Sequence, residues 1–497
     1  MSSPVSSGTD QAPDYGVLRW LVAAAFVVIL NETVMFNALP SLMREFSVDV
    51  TTAQWLSTAF MLTMAVVIPI TGWFLQRVTT RQAFGLAMTV FCIGTLICAS
   101  APVFWVLLLG RIVQASGTAV MMPLLMTTLM TIVAPGDRGK VMGNVTLAMS
   151  AAPALGPTAS GFILEVASWR WMFGIVLPIA ATIGIVGITR LRNVGEPRAL
   201  SLHVPSVLLS AIGFGTLVYG LAQFGRGGDA RTEGAIFAVV GLVFVAGFVA
   251  LQIRLQREDR PLLDLRTLRR PTYRLALLTM AGAFAGMFGS MLILPVYLQN
   301  VRDLSTLQTG LLMMPGGLAM GLLGPRVGRW FDKHGSRPLV VPGGLGAIAA
   351  LGILTQVSLT TPIPMILGAH VLLMVSLALI FTPVFTLGLG DVPPHLYSHG
   401  SSLLGALQQV AGAMGTAIVA TLIAWRTTHL LGQGDDPLTA QVGGMTAGFW
   451  FGVALTTLVF GLLLKLPNRA HVPEPEAVTE AQLPAPAEAV PLTPHEG

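Results

Sequence analysis

The sequence is poor in charge. Asp, Glu, Lys and Arg make up 10% of its 497 residues, against about 25% in soluble domains. With 54% hydrophobic residues and a mean hydropathy of +0.75, that shortage excludes one large water-soluble core and leaves a chain whose outer surface is solvated by lipid. Cysteine is nearly missing. Cys92 and Cys98 lie six apart inside one apolar stretch; they fit no disulfide framework, zinc site or redox pair and read as small apolar fillers. No paired His-Glu metal motif and no nucleophile elbow occurs, so nothing points to an intramembrane enzyme, a metal or a cofactor. The basic balance does not imply nucleic acid, because most Lys and Arg sit in short loops, where they set topology. The N-terminus lacks a basic n-region, and the apolar run after it is too long for a signal h-region, so it reads as a retained helix.

Apolar runs are what the chain has in abundance. Fourteen of them approach the ~20 residues needed to cross a bilayer. Six lie near 17–40, 52–76, 82–100, 103–131, 141–165 and 169–190, two near 205–224 and 234–255, and six near 273–299, 307–328, 338–358, 362–390, 400–426 and 443–465. The expected fold is all-α and polytopic. Its expected divisions are an N-terminal segment 1–16, a six-helix bundle 17–190, two inserted helices 205–255, a basic linker 256–272, a second six-helix bundle 273–465 and a disordered tail 466–497 rich in Pro, Glu and Ala. With the N-terminus in the cytoplasm, about 21 Lys and Arg fall inside and about 6 outside. The even number of spans then puts the C-terminus inside too. The dense run from Arg254 to Arg274 reads as a topology anchor, with lipid headgroup binding as the other reading.

A repeat relates the two bundles. Gly72 to Arg81, after span two, aligns without a gap to Gly328 to Arg337, after span ten, and Pro69 and Pro325 each lie three residues before the glycine. More faintly, Leu109-Gly110-Arg111 and Pro123 correspond to Leu367-Gly368-Ala369-His370 and Pro383. Related halves are a mark of alternating-access transporters, with the binding site between them near the midplane. The repeated segments read as tight turns in which Gly72, Gly328 and Gly335 let the chain reverse closely and Arg77, Arg81 and Arg337 face the cytoplasm. Asp332 can cap a helix start or pair with Lys333 or Arg337 as a charge latch, whereas Gln76 stands in its place in the first half.

Few polar groups lie inside the spans, so each is a candidate. Glu32, between Asn31 and Thr33, is about 8 residues before Pro40 and roughly 12 Å from that end of a straight helix. A charge there costs about 2.5–3.5 kcal/mol on insertion scales. It is either a functional carboxyl facing a polar cavity or a neutral one bonded to a neighbouring helix. Arg111 and Gln114 lie one turn apart in span four, at a similar depth. Arginine keeps its charge, so Arg111 needs a polar partner, water or helix-end carbonyls. Burial favours the neutral form of a carboxyl and a nearby guanidinium the charged form, so a carboxyl between the two can load and release a proton. His370, well inside its span, can carry protons or act as a neutral hydrogen-bond partner. Gln54, Asn144, Gln408 and Gln409 either line a pathway or bond across helices, and Met122 is one of many methionines that could adapt to varied lipophilic ligands or simply pack. Small residues in span five (Ala148, Ala152, Gly156, Ser160, with Pro157 and Gly161 beside them) form a ridge for close helix approach.

Taken in order, these motifs resemble the fourteen-helix drug:proton antiporter branch of the major facilitator superfamily, over about residues 30–466. Thr33 and Ala38-Leu39-Pro40 resemble the branch's first-helix motif, and Gly72 to Arg81 and Gly328 to Arg337 the superfamily's loop motif. Arg111, Gln114 and Gly117 resemble the fourth-helix motif, linked in the family to proton coupling. Gly143, Gly156-Pro157 and Gly161 resemble the antiporter motif of helix five. Trp169-Arg170-Trp171, Phe173 and Pro178-Ile179 resemble the start of helix six; Leu298-Gln299, Gly310 and Pro315 resemble the join of helices nine and ten. The resemblance implies a monomeric, proton-driven exporter of small lipophilic, neutral or cationic compounds in a bacterial plasma membrane. An exporter of one lipid or metabolite on the same scaffold, or a non-transporting sensor, are the other readings. The chain departs from the family at the first helix, where Asn31 replaces the usual Asp and Glu32 follows it. One residue turns a side chain about 100° round a helix, so Glu32 either takes over the Asp's role or faces elsewhere.

Overall fold

The computed structural model describes residues 16–469, apart from 49, 195–196, 198–200, 225–228 and 259. Among these residues, fourteen helices are long and apolar enough to span a membrane. The expected segment 1–16 and tail 466–497 lie almost wholly outside them.

The helices follow the apolar runs, with one correction. The first span does not run to Pro40. It stops as α1 (Gly16–Val34), passes through a 3₁₀ turn (Met35–Ala38) and restarts as the short α2 (Leu39–Phe46). Pro40 is the cause: it sits in the first turn of α2, where its missing N–H costs nothing, whereas within a continuous helix it would break a backbone bond. Glu32 is therefore two residues from the end of α1, not eight. The rest of the first half is α3 (Val50–Arg77), α4 (Thr80–Ala99), α5 (Phe104–Ile132), α6 (Arg138–Val166) and α7 (Arg170–Arg190). Next come α8 (Val204–Phe224) and α9 (Asp229–Leu255), then α10 (Pro271–Asn300), α11 (Thr306–His334), α12 (Arg337–Leu354), α13 (Ile363–Gly390), α14 (Tyr397–Gly432) and α15 (Pro437–Leu463). Reciprocal capping boxes start α4 (Thr79 with Gln82) and α11 (Ser305 with Gln308), satisfying amides that would otherwise be orphaned at a helix entry.

The helices alternate in direction, which gives the molecule two faces. The face holding the ends of α3 and α11 and the start of α6 is called here the basic face. The two halves meet along two seams. In one, α6 lies against α11, and glycines set the distance: Gly139 faces Gly328, and Gly143 faces Gly324. A methyl group on Gly143 would overlap the Gly324 carbonyl. This is the small-residue packing that lets helix backbones approach in a membrane, where apolar burial gives no preference for helix over lipid. In the other seam, α3 lies against α14, with Gly72 on His399 and Gly405 on Ile68. Helix α8 packs against both α3 and α14 and spans that second seam from outside, paired with α9.

Hydrogen bonds between the halves, among the described residues, all lie toward the basic face. Thr127 bonds Ser401 at 2.9 Å, Thr146 bonds Thr382 at 2.9 Å, Thr71 bonds Ser402 at 2.8 Å, and Arg138 donates to the Tyr397 hydroxyl at 3.1 Å. The molecule is closed on that face.

Candidate functional site

Arg111 is the centre of the first half. It is 1% exposed, and no carboxylate reaches it within ion-pair distance among the described residues. Its Nη1 donates to Gln114 Oε1 at 2.6 Å and, more weakly, to Asn31 Oδ1 at 3.4 Å. Gln114 is oriented in turn, its Nε2 donating to Thr95 Oγ1 at 2.7 Å while Thr95 donates to the Phe91 carbonyl at 2.7 Å. The spacing of Arg111 and Gln114 on α5 puts both on one face, and Gly94 of α4 leaves room for the Gln114 backbone to come close. Asn31, buried at 2% exposure, is thus the first-helix residue turned toward Arg111. Glu32 takes no part in that contact. It is half-buried and has no hydrogen-bond partner among the described residues, yet it is near enough to Arg111 for their charges to interact. Of the two readings of Glu32, the structure places it beside the cation without pairing it and without bonding it to a neighbouring helix.

The other candidates are distributed as follows. Gln54, Met122, Gln408 and Gln409 are half-buried, and the three glutamines have no hydrogen-bond partner among the described residues. Asn144 is exposed, six residues after the start of α6. His370 lies between α13 and α11 at 4% exposure. Its Nε2 is 3.2 Å from the Met313 carbonyl and its ring rests on Gly316. That is the hydrogen-bond-partner arrangement, and it joins two helices of the second half. Gly156 receives Thr33 of α1, whose hydroxyl donates to Leu30 O at 2.9 Å and reaches Ala152 O at 3.4 Å. Gly161 rests on Leu307, and Pro157 lies within α6.

Gly72 and Gly328 do not lie in tight turns, which corrects that reading: they fall inside α3 and α11, where they face the opposite half, and the chain reverses only after Arg77 and at Gly335. The repeated segments tie each half to the other. Asp332, near the end of α11, accepts hydrogen bonds from the backbone amides of Gly139 at 2.9 Å and Lys140 at 2.7 Å. These are free amides of the first turn of α6, whose own N-cap, Asp137, makes no side-chain cap bond. Asp332 thus caps a helix of the opposite half and forms no ion pair with Lys333 or Arg337 among the described residues; this corrects the pairing reading. The corresponding Gln76 of the first half also reaches the other half, but as a donor and not as a cap: its Nε2 donates to the His395 carbonyl at 3.1 Å, in the turn before α14. Arg77 lies over the Trp73 ring at 5.7 Å, and the Arg81 amide donates to Asn193 Oδ1. Gly335 has φ +83°, a left-handed conformation that favours glycine, and the Arg337 amide after it donates to Asn468 Oδ1.

Sequence reasoning missed four contributors. Phe60 of α3 places its ring 4.0 Å from the Arg111 guanidinium carbon. Thr95 orients Gln114. Glu45 of α2 accepts from Arg170 and from the Trp169 indole, pinning α2 to the start of α7. In the linker, Leu262 and Leu263 are 1% exposed and their amides donate to Gln252 of α9, whose Nε2 donates to Ser206 of α8. An unpartnered Arg at 111 was the only signal for the first two; nothing local marked the others.

The sequence profile of the Major Facilitator Superfamily matches residues 21–416. The lincomycin resistance protein LmrB of Listeria monocytogenes is 36% identical over 467 residues, covering 93% of this chain and 98% of that protein. The multidrug resistance protein B homolog of Mycobacterium tuberculosis is 29% identical over 426 residues, covering 84% of this chain and 78% of that protein. The crystal structure of the human organic anion transporter MFSD10 superimposes with a TM-score of 0.65 over 91% of this chain and all of that one, at 15% identity, a likeness of fold. Fourteen spanning helices, a cross-half hydrogen bond from each repeated segment and a profile match over most of the length agree: the chain belongs to the Major Facilitator Superfamily of membrane transporters.

Proposed function

We propose that this protein is a proton-driven exporter of lipophilic, neutral or cationic drug-like compounds. The observation that carries the proposal is the half-buried Glu32 carboxyl lying unpaired beside a buried guanidinium whose partners are all neutral. The names of the relatives, lincomycin resistance and multidrug resistance, support efflux of drugs. The excess of Lys and Arg on the basic face argues that this face and both termini are cytoplasmic, in a bacterial plasma membrane, and that the closed face bars the cytoplasm in this conformation. Substrate and proton then compete between the halves, where Met122, Gln54, Gln408 and Gln409 are the side chains assigned to the pathway. From outside, Glu32 takes up a proton, which removes its charge and weakens its hold on a cation. The halves rock, Glu32 releases the proton to the cytoplasm, and the site is reset. No cofactor is required, and one chain suffices.

The test is proton flux in vesicles holding purified protein under an imposed pH gradient. Lipophilic cations and neutral drugs should drive proton movement with wild type and not with Glu32→Gln. A Glu32→Gln protein that still concentrates substrate against its gradient would remove Glu32 from the mechanism. Absence of flux with every drug would favour export of a lipid or metabolite.

A further inference from the structure

Arg111 poses a question that the transport cycle leaves open. A permanently charged guanidinium that is 1% exposed needs compensation, because breaking up its hydration is costly unless the charge is paired or fully hydrogen-bonded. Its polar partners are two neutral side-chain oxygens, one of them at 3.4 Å, and its Nε–H has no partner among the described residues. What it does have is an aromatic face. The Phe60 ring is itself 1% exposed and lies 4.0 Å from the guanidinium carbon, well inside the ~6 Å over which a ring quadrupole attracts a cation. Phe60 belongs to the buried apolar cluster that includes Met64, Ala65 and Ala115.

We propose that Phe60 is a positioning residue for proton coupling. Its π face stabilises the Arg111 charge where the chain supplies no carboxylate, and holds the guanidinium on the α3 side, short of an ion pair with Glu32. The other groups near Arg111 are Asn31 and Glu32 from α1, Gln114 from α5, and Cys98 from α4, whose thiol donates to the Leu107 carbonyl at 3.7 Å. Of these only Glu32 and Cys98 titrate, and Glu32 alone carries charge in the working range. With Arg111 tethered, Glu32 feels the cation at a distance and can exchange its proton. Released from Phe60, Arg111 would close on the carboxylate and hold it charged. The inference rests on the proton-coupled reading above.

The test replaces Phe60 with 4-fluoro-, 3,5-difluoro- and 3,4,5-trifluorophenylalanine, which drain the ring's negative face while nearly preserving its shape. Each variant is made with Arg111 and with Arg111→Met, and two quantities are read: thermal stability of the purified protein, and the pH midpoint of substrate-driven proton flux. The expected result is a stepwise fall in melting temperature with fluorine number, present only with Arg111, and a shift of the flux midpoint to lower pH by about one unit, a tenfold change in proton affinity. A melting temperature independent of fluorine number, or equally dependent in the Arg111→Met background, overturns the cation–π contact. A stability trend with an unmoved flux midpoint leaves Phe60 as packing and overturns its positioning role. Wild type without any substrate-driven flux would instead overturn the proton-coupled reading and with it the coupling role of Phe60; the stability arm would still decide the contact itself.

Discussion

Replacing Asp332 by Asn should open the basic face. The Asp332 carboxylate is half-buried and accepts two backbone hydrogen bonds from the first turn of α6, at 2.9 and 2.7 Å. Both bonds cross between the halves, so they exist only while that face is closed. Asn keeps one acceptor oxygen and loses the charge. The loss is one charge-assisted hydrogen bond, about 1.5–3 kcal/mol, plus an interaction with the positive end of a helix, about 0.3–1 kcal/mol. Partial exposure screens both, and water re-solvates the freed groups, leaving about 2 kcal/mol, or roughly 30-fold in the closed-to-open ratio. If wild type is closed about 99 times in 100, the variant should be open roughly a quarter of the time. Spin labels at the exposed positions Arg190 and Lys465, one in each half and both at the basic face, would report this as a second, longer distance population. Gly139→Ala should do the same, because its methyl would overlap Asp332 Oδ1. A ratio that changes less than threefold in both variants would refute the claim that the cap holds the face shut.

The remaining expectations concern other parts of the molecule. The Arg170 hydrogen bond holds the Glu45 carboxyl below its ordinary range; the pair therefore stabilises the protein above that range, and the benefit is lost as the pH falls through the depressed value. Glu45→Gln should reduce stability at pH 7 by about 1 kcal/mol or less, as for an exposed pair, with a slightly lower melting temperature, and the gap to wild type should close in acid; a gap that persists there would contradict the assignment. Gly143→Leu should abolish drug export without abolishing membrane insertion, since its side chain would displace the Gly324 backbone across the seam; near-normal export would mean that the seam is loose. Asn31→Asp places a carboxylate where Asn31 now meets Arg111, so Asn31→Asp combined with Glu32→Gln should recover proton-driven flux that Glu32→Gln alone lacks, with a different pH optimum. A double variant as inactive as the single one would argue that position 31 cannot do the work of position 32.

Hydropathy and periodicity are local properties, and what depends on them was decided by the sequence. The fourteen spans, the duplication of Gly72–Arg81 in Gly328–Arg337, the placing of Arg111 and Gln114 on one helical face and the glycine ridge of α6 can all be read from neighbours a few residues apart. Even the break after Val34 had a local cause in Pro40, although the continuous apolar run concealed it. Rotation of one helix against another is different, because it depends on which surfaces pack. Composition could not say whether Asn31 or Glu32 turns to Arg111, since both lie in the same apolar run about 100° apart. Contact with α4 and α5 decides it. Nor could it show that Asp332 reaches Gly139 and Lys140, 193 and 192 residues away, instead of its neighbours Lys333 and Arg337. The same holds for Phe60, which looks like one more apolar residue until the fold sets its ring over a buried charge. The sequence determined which segments cross the membrane and which rare polar groups they carry. Tertiary packing decided which of those groups meet, because a charge in an apolar interior is defined by its partners and the partners come from other helices.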